Sequence, residues 1–279
     1  MDHLRRPCVL VFAGADPSGG AGITADIQAI AANGAHPLTV ITALTVQDND
    51  RVFAVQPVSA ELLRQQAEAL IAKIGIAAVK IGIVGNRANA AAIADLIGAL
   101  RQVNPSLPVV LDPVLASGHG DTLTTDDAVQ AIAPLLPLAT LITPNLPEAA
   151  KLCGAGLTQQ AQARALLQCG CGNVLIKGGH GSDDIVRNHW YADGVGFDGT
   201  NSAKSANSWQ WRRLPGSFHG SGCTLASAIA ARLACGESMA DAIAAAQDYC
   251  HHALATSYSI ADGQRMPDRS ATFITQEHR

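Results

Sequence analysis

A glycine-rich segment near the start of the chain, Gly14-Ala-Asp-Pro-Ser-Gly-Gly-Ala-Gly22, could bring backbone close to a small ligand. Three glycines in four positions remove side chains from the path of such a ligand. The segment lacks the G-x-G-x-x-G order and the final Lys-Ser/Thr of nucleotide-binding loops, so it predicts a substrate cradle rather than a phosphate loop. The alternative is a tight strand–helix turn in which Asp16 only hydrogen-bonds the turn.

A second glycine-rich segment, His219-Gly-Ser-Gly-Cys223, comes directly before a helical pattern. Backbone N–H groups at a helix start lack intrahelical partners and favour anions. Gly220, Ser221 and Gly222 could therefore stabilise the charge of a phosphoryl group in transfer. The thiol pKa falls in a first helical turn, so Cys223 could take the proton of an attacking alcohol. The alternative makes Ser221 a helix cap and Cys223 a core thiol.

Polar residues also follow or end several apolar runs. Asp112 follows one run, Asn145 and Glu148 follow the next, and Lys177 ends a third. Carboxylates suit hydrated magnesium, and a lysine can meet a phosphate as a point charge. Each feature also has a structural explanation. Asp112 could cap a turn, Asn145 and Glu148 have the spacing of a capping box, and a glycine turn follows Lys177.

These segments lie between short apolar runs and alanine-rich helical patterns that alternate along the chain. Continuous apolar runs indicate strands buried on both faces, and they occur at residues 8–13, 37–43, 78–83, 108–111, 140–143 and 173–177. Helical patterns occur at residues 22–33, 59–74, 88–103, 125–136, 146–152, 158–169, 223–233 and 239–257. The alternation predicts a three-layer α/β fold with a central, mostly parallel sheet flanked by helices, and ligands beyond the carboxyl ends of the strands.

Composition excludes several classes of protein. Apolar residues make up 48% of the 279 residues, enough for a large core, and we predict one domain over residues 1–279. The net charge of −4 gives no basic footprint for nucleic acid, and no apolar stretch has the length of a membrane span. The seven cysteines show no metal or redox spacing, which predicts reduced thiols in a cytoplasmic protein.

Two segments depart from the strand–helix alternation. Residues 183–217 hold all three tryptophans and are rich in Gly, Asn and Ser, which predicts either an antiparallel edge hairpin or a loop. The sequence from about residue 262 to the end is polar, and this predicts a loosely held tail.

Together, these motifs resemble those of the hydroxymethylpyrimidine/phosphomethylpyrimidine kinases, which have the ribokinase-like fold. The matching stretches are AGADPSGGAGITAD, VITALTVQ, VKIGIVG, VVLDPV, LITPNLPEA, IKGGH and HGSGCTLASAIAA. The discriminating feature is the combination of DPSGGAGI with a cysteine in the last motif, where most similar sugar kinases carry aspartate. The resemblance implies phosphorylation of hydroxymethylpyrimidine and then of its monophosphate, using ATP and Mg²⁺, on the route to thiamine diphosphate. It also implies a homodimer.

The resemblance assigns roles to individual residues. Positions that contact the pyrimidine in the family correspond here to Gly14, Asp26, Gln47, Ile83 and Val114. The anion hole and the catalytic base correspond to Gly220, Ser221, Gly222 and Cys223. Nucleotide contacts correspond to Asp112, Asn145 and Lys177, and magnesium contacts to Asp112 and, through water, Glu148. An amide suits a ring contact because it can donate and accept along the ring edge.

Other functions remain open at this point. A pyridoxal-type kinase would share the fold and phosphorylate a pyridine alcohol instead. A pyrimidine-binding protein could keep the fold without catalysis. A dinucleotide oxidoreductase is disfavoured because the Rossmann glycine pattern is absent. For each of these the expected partners are small molecules, with no nucleic acid and no membrane.

Overall fold

The computed structural model describes residues 5–117, 119–121, 123–181, 183–192 and 207–270. Within these ranges the strands are β1 Cys8–Ala15, β2 His36–Gln47, β3 Val52–Pro57, β4 Ile76–Ile81, β5 Val109–Leu111, β6 Leu141–Ile142, β7 Asn173–Ile176, β8 Ile185–Ala192 and β9 Asn207–Arg212. The α-helices are α1 Gly22–Ala32, α2 Ala60–Ile71, α3 Arg87–Val103, α4 Ala128–Ile132, α5 Leu146–Cys153, α6 Gln159–Gln168, α7 Ser221–Ala234 and α8 Met239–Ala255.

These strands form one sheet in the order β3-β2-β1-β4-β5-β6-β7-β8-β9. The run from β2 to β7 in that order is parallel throughout. The strands at the edges, β3 on one side and β8 and β9 on the other, pair antiparallel with their neighbours. The predicted mostly parallel sheet is confirmed, and its topology places the carboxyl ends of the parallel strands along one edge.

Helices cover both faces of the sheet and bury two separate cores. Alternate residues of β1 point to opposite faces, as strand geometry requires. Leu10 and Phe12 belong to the core that includes α2, α3 and α6, whereas Val9 and Val11 belong to the core that includes α1, α7 and α8. All four side chains are fully buried. The predicted three-layer arrangement follows from this alternation.

Several predicted elements differ in detail from those observed. The predicted helix at 125–136 is the short α4 followed by a 3-10 helix, Ala133–Leu138, because Pro134 and Pro137 cannot donate the N–H that an α-helix needs. Strand β3 was not predicted. The antiparallel edge hairpin considered for residues 183–217 is confirmed as β8 and β9, with residues 193–206 outside the described part of the chain.

The prediction of a loosely held tail from about residue 262 was wrong for residues 262–270. Gln264, Met266 and Arg269 are buried there. Polarity was misleading because the side chains of Gln264 and Arg269 are hydrogen-bonded to other parts of the protein rather than solvated. Residues 271–279 lie outside the described residues. None of the helices in the described ranges combines the length and apolarity needed to cross a bilayer.

Candidate active site

A cavity of about 550 Å³ opens at the carboxyl ends of the parallel strands, where such sheets bind ligands. Apart from Asp26, the predicted site residues all line it: Gly14, Gln47, Ile83, Asp112, Val114, Asn145, Glu148, Lys177, Gly220, Ser221, Gly222 and Cys223. They come from the ends of successive strands and from the start of α7, so the sheet gathers side chains that are far apart in sequence. Their individual roles stay predictions.

Asp26 is not among the residues that line this cavity, but its partner Lys80 is, and the predicted contact of Asp26 with a pyrimidine stays a prediction. Its side chain is fully buried, and Lys80 Nζ donates to its two carboxylate oxygens at 2.8 and 2.9 Å. Ser227 Oγ donates to Asp26 Oδ1 at 2.6 Å. Protein donors from β4 and α7 therefore occupy the carboxylate, and Asp26 ties these elements to α1.

Lys80 is a site residue that the sequence analysis missed. It is fully buried in β4 and yet lines the cavity. Burial alone would lower the pKa of Lys80, but the carboxylate of Asp26 and further negative groups raise it above the ordinary value. The ammonium group therefore stays charged. A signal was available, because a lysine inside an apolar strand is almost never fully buried unless it is paired.

Asp16 organises the first glycine-rich loop. Its carboxylate accepts hydrogen bonds from the backbone N–H groups of Ser18, at 2.8 Å, and Ala21, at 2.7 Å. His219 Nε2 lies 2.8 Å from Asp16 Oδ2. Burial favours the neutral acid, but the hydrogen bonds around the carboxylate, that of His219 first, prevail and lower the pKa of Asp16 to about 2. Asp16 thus forms the turn and also links the loop to the second glycine-rich segment.

The two glycine-rich loops touch each other, and the contacts require glycine. A methyl group at Gly20 would collide with the ring of His219, and one at Gly220 would collide with the carbonyl of Gly20. Gly220 also has a φ of +71°, which side chains rarely tolerate. These glycines therefore set the close approach of the two loops in one wall of the cavity.

Helix α7 starts at Ser221, and Gly220 is its N-cap. The alternative in which Ser221 caps the helix was wrong, since no capping hydrogen bond from a side chain is found among the described residues at this end. The first backbone N–H groups of α7 therefore stay available to an anion. This is the arrangement that the sequence analysis expected for a phosphoryl group.

The predicted fall in the pKa of Cys223 was wrong for the ligand-free protein. Burial raises the pKa of the Cys223 thiol, and the carboxylates of Asp26 and Asp112 add to the rise. Lys80 opposes the rise but does not reverse it. A helix start lowers a thiol pKa, but here burial of Cys223, together with the carboxylates of Asp26 and Asp112, has the larger effect, and these come from segments distant in sequence.

Asp112 and Lys177 form an ion pair at the edge of the sheet. Lys177 Nζ donates to Asp112 Oδ1 at 2.8 Å, and Thr143 Oγ1 donates to the same oxygen at 3.0 Å. Burial would raise the pKa of Asp112, but the charges of Lys177 and Lys80 and the hydrogen bonds from Lys177 and Thr143 together outweigh it and hold the pKa below its usual range. A fixed carboxylate and a fixed cation therefore lie side by side in the cavity wall.

Asn145 and Glu148 form the predicted capping box at the start of α5. Asn145 N donates to Glu148 Oε2 at 2.8 Å, and Glu148 N donates to Asn145 Oδ1 at 2.9 Å. Both residues also line the cavity, so the capping role does not exclude a ligand role. Burial raises the pKa of Glu148 to about 7, and the negative charge of Asp112 contributes to the rise despite Lys177.

The carboxylates of Asp112 and Glu148 fit a hydrated magnesium ion. Magnesium prefers oxygen ligands, keeps several waters and uses few carboxylates. Among the described residues no three His, Cys, Asp or Glu side chains are arranged to hold a metal directly. Burial and the charge of Asp112 raise the pKa of Glu148, and a dication bound nearby would favour its ionised form.

Two further cavity residues, His219 and Gln264, had little or no sequence signal for their arrangement. His219 Nδ1 lies 3.0 Å from Gln264 Oε1, and both side chains line the cavity. His219 stood inside a recognised motif without an assigned role. Gln264 lies in the segment that was predicted to be loose, so nothing in its polarity pointed to the site.

Comparison with known proteins places this architecture. A family model described as phosphomethylpyrimidine kinase matches residues 16–268. A curated relative from Rhizobium meliloti (strain 1021), named hydroxymethylpyrimidine/phosphomethylpyrimidine kinase, is 40% identical, covering 91% of this chain and 93% of its own length. The chain belongs to the phosphomethylpyrimidine kinase family. Membership of a kinase family favours an enzyme over a binding protein without catalysis.

Solved structures agree with this family and with the fold. The phosphomethylpyrimidine kinase of Clostridium difficile 630 has a TM-score of 0.72 at 31% identity, covering 88% of this chain and 98% of that chain. The pyridoxal kinase of Staphylococcus aureus, solved with AMP-PCP and pyridoxal, has a TM-score of 0.79 at 26% identity, covering 95% of this chain and 94% of that chain. The expected ribokinase-like fold is confirmed.

Proposed function

We propose that this protein transfers the γ-phosphoryl group of ATP to the hydroxyl of hydroxymethylpyrimidine, and then phosphorylates the monophosphate, on the route to thiamine diphosphate. The observation that carries the proposal is the meeting of Lys177, Asp112 and the start of α7. A Cβ at Gly222 would lie 3.1 Å from Lys177 Nζ and 3.3 Å from Asp112 Oδ2. A phosphoryl group in this corner would meet a cation and free N–H groups, which stabilise its transition state.

The alcohol would occupy the part of the cavity beside β1, β2 and β4. Gln47 offers an amide donor and acceptor to the ring edge, and Ile83 and Val114 offer apolar surface. Gly14 lets the ring approach the backbone. Cys223 lies in the wall of the same cavity, where its thiolate form could accept the proton of the hydroxyl as the phosphoryl group arrives.

ATP would enter from the opposite side. In-line transfer places the attacking and leaving oxygens on opposite sides of the phosphoryl group, so the nucleotide extends away from the alcohol, towards β8, β9 and α8. The cavity wall on that side includes the apolar side chains of Val186, Trp211, Leu225 and Leu254, against which a nucleobase could pack. The Staphylococcus aureus pyridoxal kinase was solved with AMP-PCP, which supports a nucleotide triphosphate here.

Asp112, and Glu148 through water, would hold a magnesium ion carried by the nucleotide. When bound, the ion supplies positive charge to the phosphate oxygens. Lys177 adds a fixed cation on the protein side, held in place by Asp112 at 2.8 Å. Asn145 lies next to Lys177 in a parallel bridge, so α5 and the end of β7 present these groups together.

The deciding experiment incubates the purified protein with ATP, Mg²⁺ and hydroxymethylpyrimidine and resolves the products by mass spectrometry. We expect the monophosphate to form first and the diphosphate to follow. Pyrimidine binding without consumption of ATP would refute the kinase function and favour a binding protein. A monophosphate that never advances would refute the second step alone.

A second candidate function is a pyridoxal-type kinase, which the similarity to the Staphylococcus aureus pyridoxal kinase favours. The two functions differ in the ring that carries the alcohol. Side-by-side kinetics with hydroxymethylpyrimidine and pyridoxal separate them through the ratio of kcat/KM values. We expect the ratio to favour the pyrimidine, and a ratio in favour of pyridoxal would exchange the two assignments.

We also propose a homodimer in the cytoplasm. The β2–β3 hairpin at the edge of the sheet exposes the apolar side chains of Leu44, Val46 and Phe53, which supports an interface between two copies. The seven cysteines are free thiols, which supports a reducing compartment. Cell fractionation tests the location, and sedimentation velocity tests the assembly.

A further inference from the structure

Arg269 joins three separate parts of the protein near the cavity. It lies beyond α8 and is only 3% exposed. Its Nε donates to Thr224 Oγ1 at 2.8 Å and its Nη1 to Gln28 Oε1 at 3.2 Å. Its Nη2 donates to the carbonyl of Gly20 and approaches the carbonyl of His219 at 3.4 Å. One guanidinium group therefore connects the first glycine-rich loop, α1 and the start of α7.

The segment that carries Arg269 is itself held in place. We call residues 262–269 the C-terminal strap. Arg265 exchanges backbone hydrogen bonds with the second loop, since His219 N donates to Arg265 O and Arg265 N donates to Ser217 O, both at 2.9 Å. Tyr249 on α8 donates from its hydroxyl to the Arg269 carbonyl at 2.9 Å. These hydrogen bonds hold the C-terminal strap at its middle and at its end, so the backbone of Arg269 has a fixed position.

The C-terminal strap contacts the two glycine-rich loops on two sides. On the cavity side, Gln264 meets His219, and His219 meets Asp16 of the first loop. On the far side, Arg269 bridges Gly20 and Thr224 and packs against the backbone of Gly220. Arg269 itself is not part of the cavity wall, so any effect on a ligand must pass through the loops.

We propose that Arg269 is a positioning residue for phosphoryl transfer, which sets the distance between the substrate loop and the anion-binding start of α7. The inference rests on the proposed kinase function, because these two loops would hold the alcohol and the phosphoryl group. A planar guanidinium can bond several acceptors in fixed directions, whereas a lysine at this position would offer a single ammonium point. A displacement of reacting groups by about 1 Å can lower a rate by about 10²-fold.

The test compares Arg269→Gln and Arg269→Lys with a matched control, Arg232→Gln. Arg232 also joins α7 to α1, through Asn33 Oδ1 at 2.9 Å, but at the ends of these helices far from the loops. We expect kcat to fall by about 10- to 10²-fold in both Arg269 variants, with an unchanged KM for ATP. Arg232→Gln should keep the kcat of the wild type. Equal kcat in Arg269→Gln and the wild type, or an equal loss in Arg232→Gln, would overturn the proposal.

Chemical rescue separates positioning from a general loss of stability. A second cavity of about 480 Å³ is lined in part by Arg269, Gln28 and Asp268, and truncation of Arg269 to alanine would add the space of the guanidinium group to it. Guanidinium ion should restore part of the kcat of Arg269→Ala and leave Arg232→Ala unchanged. Absence of rescue in the folded Arg269→Ala variant would count against the role.

Hydrogen exchange keeps this proposal independent of the kinase assay. In the ligand-free protein, Arg269→Gln should speed amide exchange in residues 16–22 and 219–224, and Arg232→Gln should not. If the wild type fails to phosphorylate the pyrimidine, the proposed function falls while the exchange data still decide the positioning role. If Arg269→Gln does not fold, the charge-preserving Arg269→Lys takes its place, and unchanged exchange in that variant overturns the proposal.

Discussion

The sulfur of Cys223 is surrounded by groups that act on its protonation in opposite directions. Burial and the carboxylates of Asp26 and Asp112 raise the pKa of Cys223, while the ammonium of Lys80 lowers it. In the ligand-free protein the thiol is therefore largely protonated near neutral pH, and the thiolate population grows as pH rises. A loose phosphoryl transition state places little charge on the attacking oxygen, so the alcohol proton can leave late in the reaction. The thiolate form of Cys223 can then receive it.

Replacing Cys223 tests the base directly. Cys223→Ser should lower kcat by about 10²- to 10⁴-fold, the usual range for general acid–base catalysis, and leave both KM values nearly unchanged. The kcat of the wild type should rise with pH above neutrality as the thiolate forms, and the variant should lose this rise. Cys235→Ser on the exposed surface is the control. Near wild-type turnover in Cys223→Ser would exclude the proposed role.

The buried pair of Lys80 and Asp26 makes a prediction about stability. Lys80→Met removes the cation and leaves the carboxylate of Asp26 buried without its partner at 2.8 Å. Breaking a buried ion pair in this way costs about 3–5 kcal/mol, which urea unfolding measures. The double variant Lys80→Met/Asp26→Asn should recover part of the loss, because the unpaired charge is then gone. Unfolding free energies of Lys80→Met and the wild type that agree within error would contradict this account.

At the scale of elements, the start of α7 and the end of β7 approach so closely that a side chain at Gly222 would be in tight contact with Lys177 and Asp112. Gly222→Ala would put a methyl group 3.1 Å from Lys177 Nζ and 3.3 Å from Asp112 Oδ2, in the space proposed for the phosphoryl group. We expect a folded protein with kcat/KM lowered by about 10²-fold.

The control for Gly222→Ala is Gly98→Ala in the middle of α3, where a Cβ would have no atom of the described residues within 4 Å. This change should raise stability by roughly 0.5–1 kcal/mol, since alanine favours helix, and leave kinetics alone. Thermal unfolding and steady-state kinetics of both variants give the comparison. Unchanged kinetics in Gly222→Ala would place the phosphoryl group elsewhere.

The elements also show which features sequence reasoning could reach. Strands such as β1 were predicted because burial on both faces leaves a continuous apolar run, and the capping box of Asn145 and Glu148 is written in their spacing. Arg269 and Gln264 were missed because polarity does not distinguish a solvated side chain from one that is buried and hydrogen-bonded. The pKa of Cys223 was predicted in the wrong direction because burial of the thiol, with a smaller contribution from Asp26 and Asp112, depends on segments that are distant in sequence. Features set by neighbouring residues, such as β1 and this capping box, could be predicted from the sequence, whereas contacts between distant segments could not.

At the scale of the whole molecule, one edge of the sheet belongs both to the proposed dimer interface and to the proposed alcohol site. Strand β9 lies at one edge, and strand β3, on the β2–β3 hairpin, lies at the other. The same hairpin brings Gln47, Arg51 and Val52 to the cavity wall. The edge that would meet a second copy of the chain is thus part of the proposed alcohol site, and assembly and substrate binding should depend on each other.

Val46→Glu tests this dependence. Val46 is 61% exposed and lies two residues from Leu44, on the same face of β2, so a charge there would have to be buried in an interface. Sedimentation velocity over a range of concentrations should show a dimer for the wild type and a monomer for Val46→Glu. Val103→Glu, at an 88% exposed position at the end of α3, should remain a dimer.

The monomeric variant should also have a higher KM for the pyrimidine and an unchanged KM for ATP, because the hairpin that carries Gln47 loses its support while the strands beside the nucleotide do not. A wild type that sediments as a monomer, or a Val46→Glu variant that stays dimeric, would place the interface elsewhere or remove it.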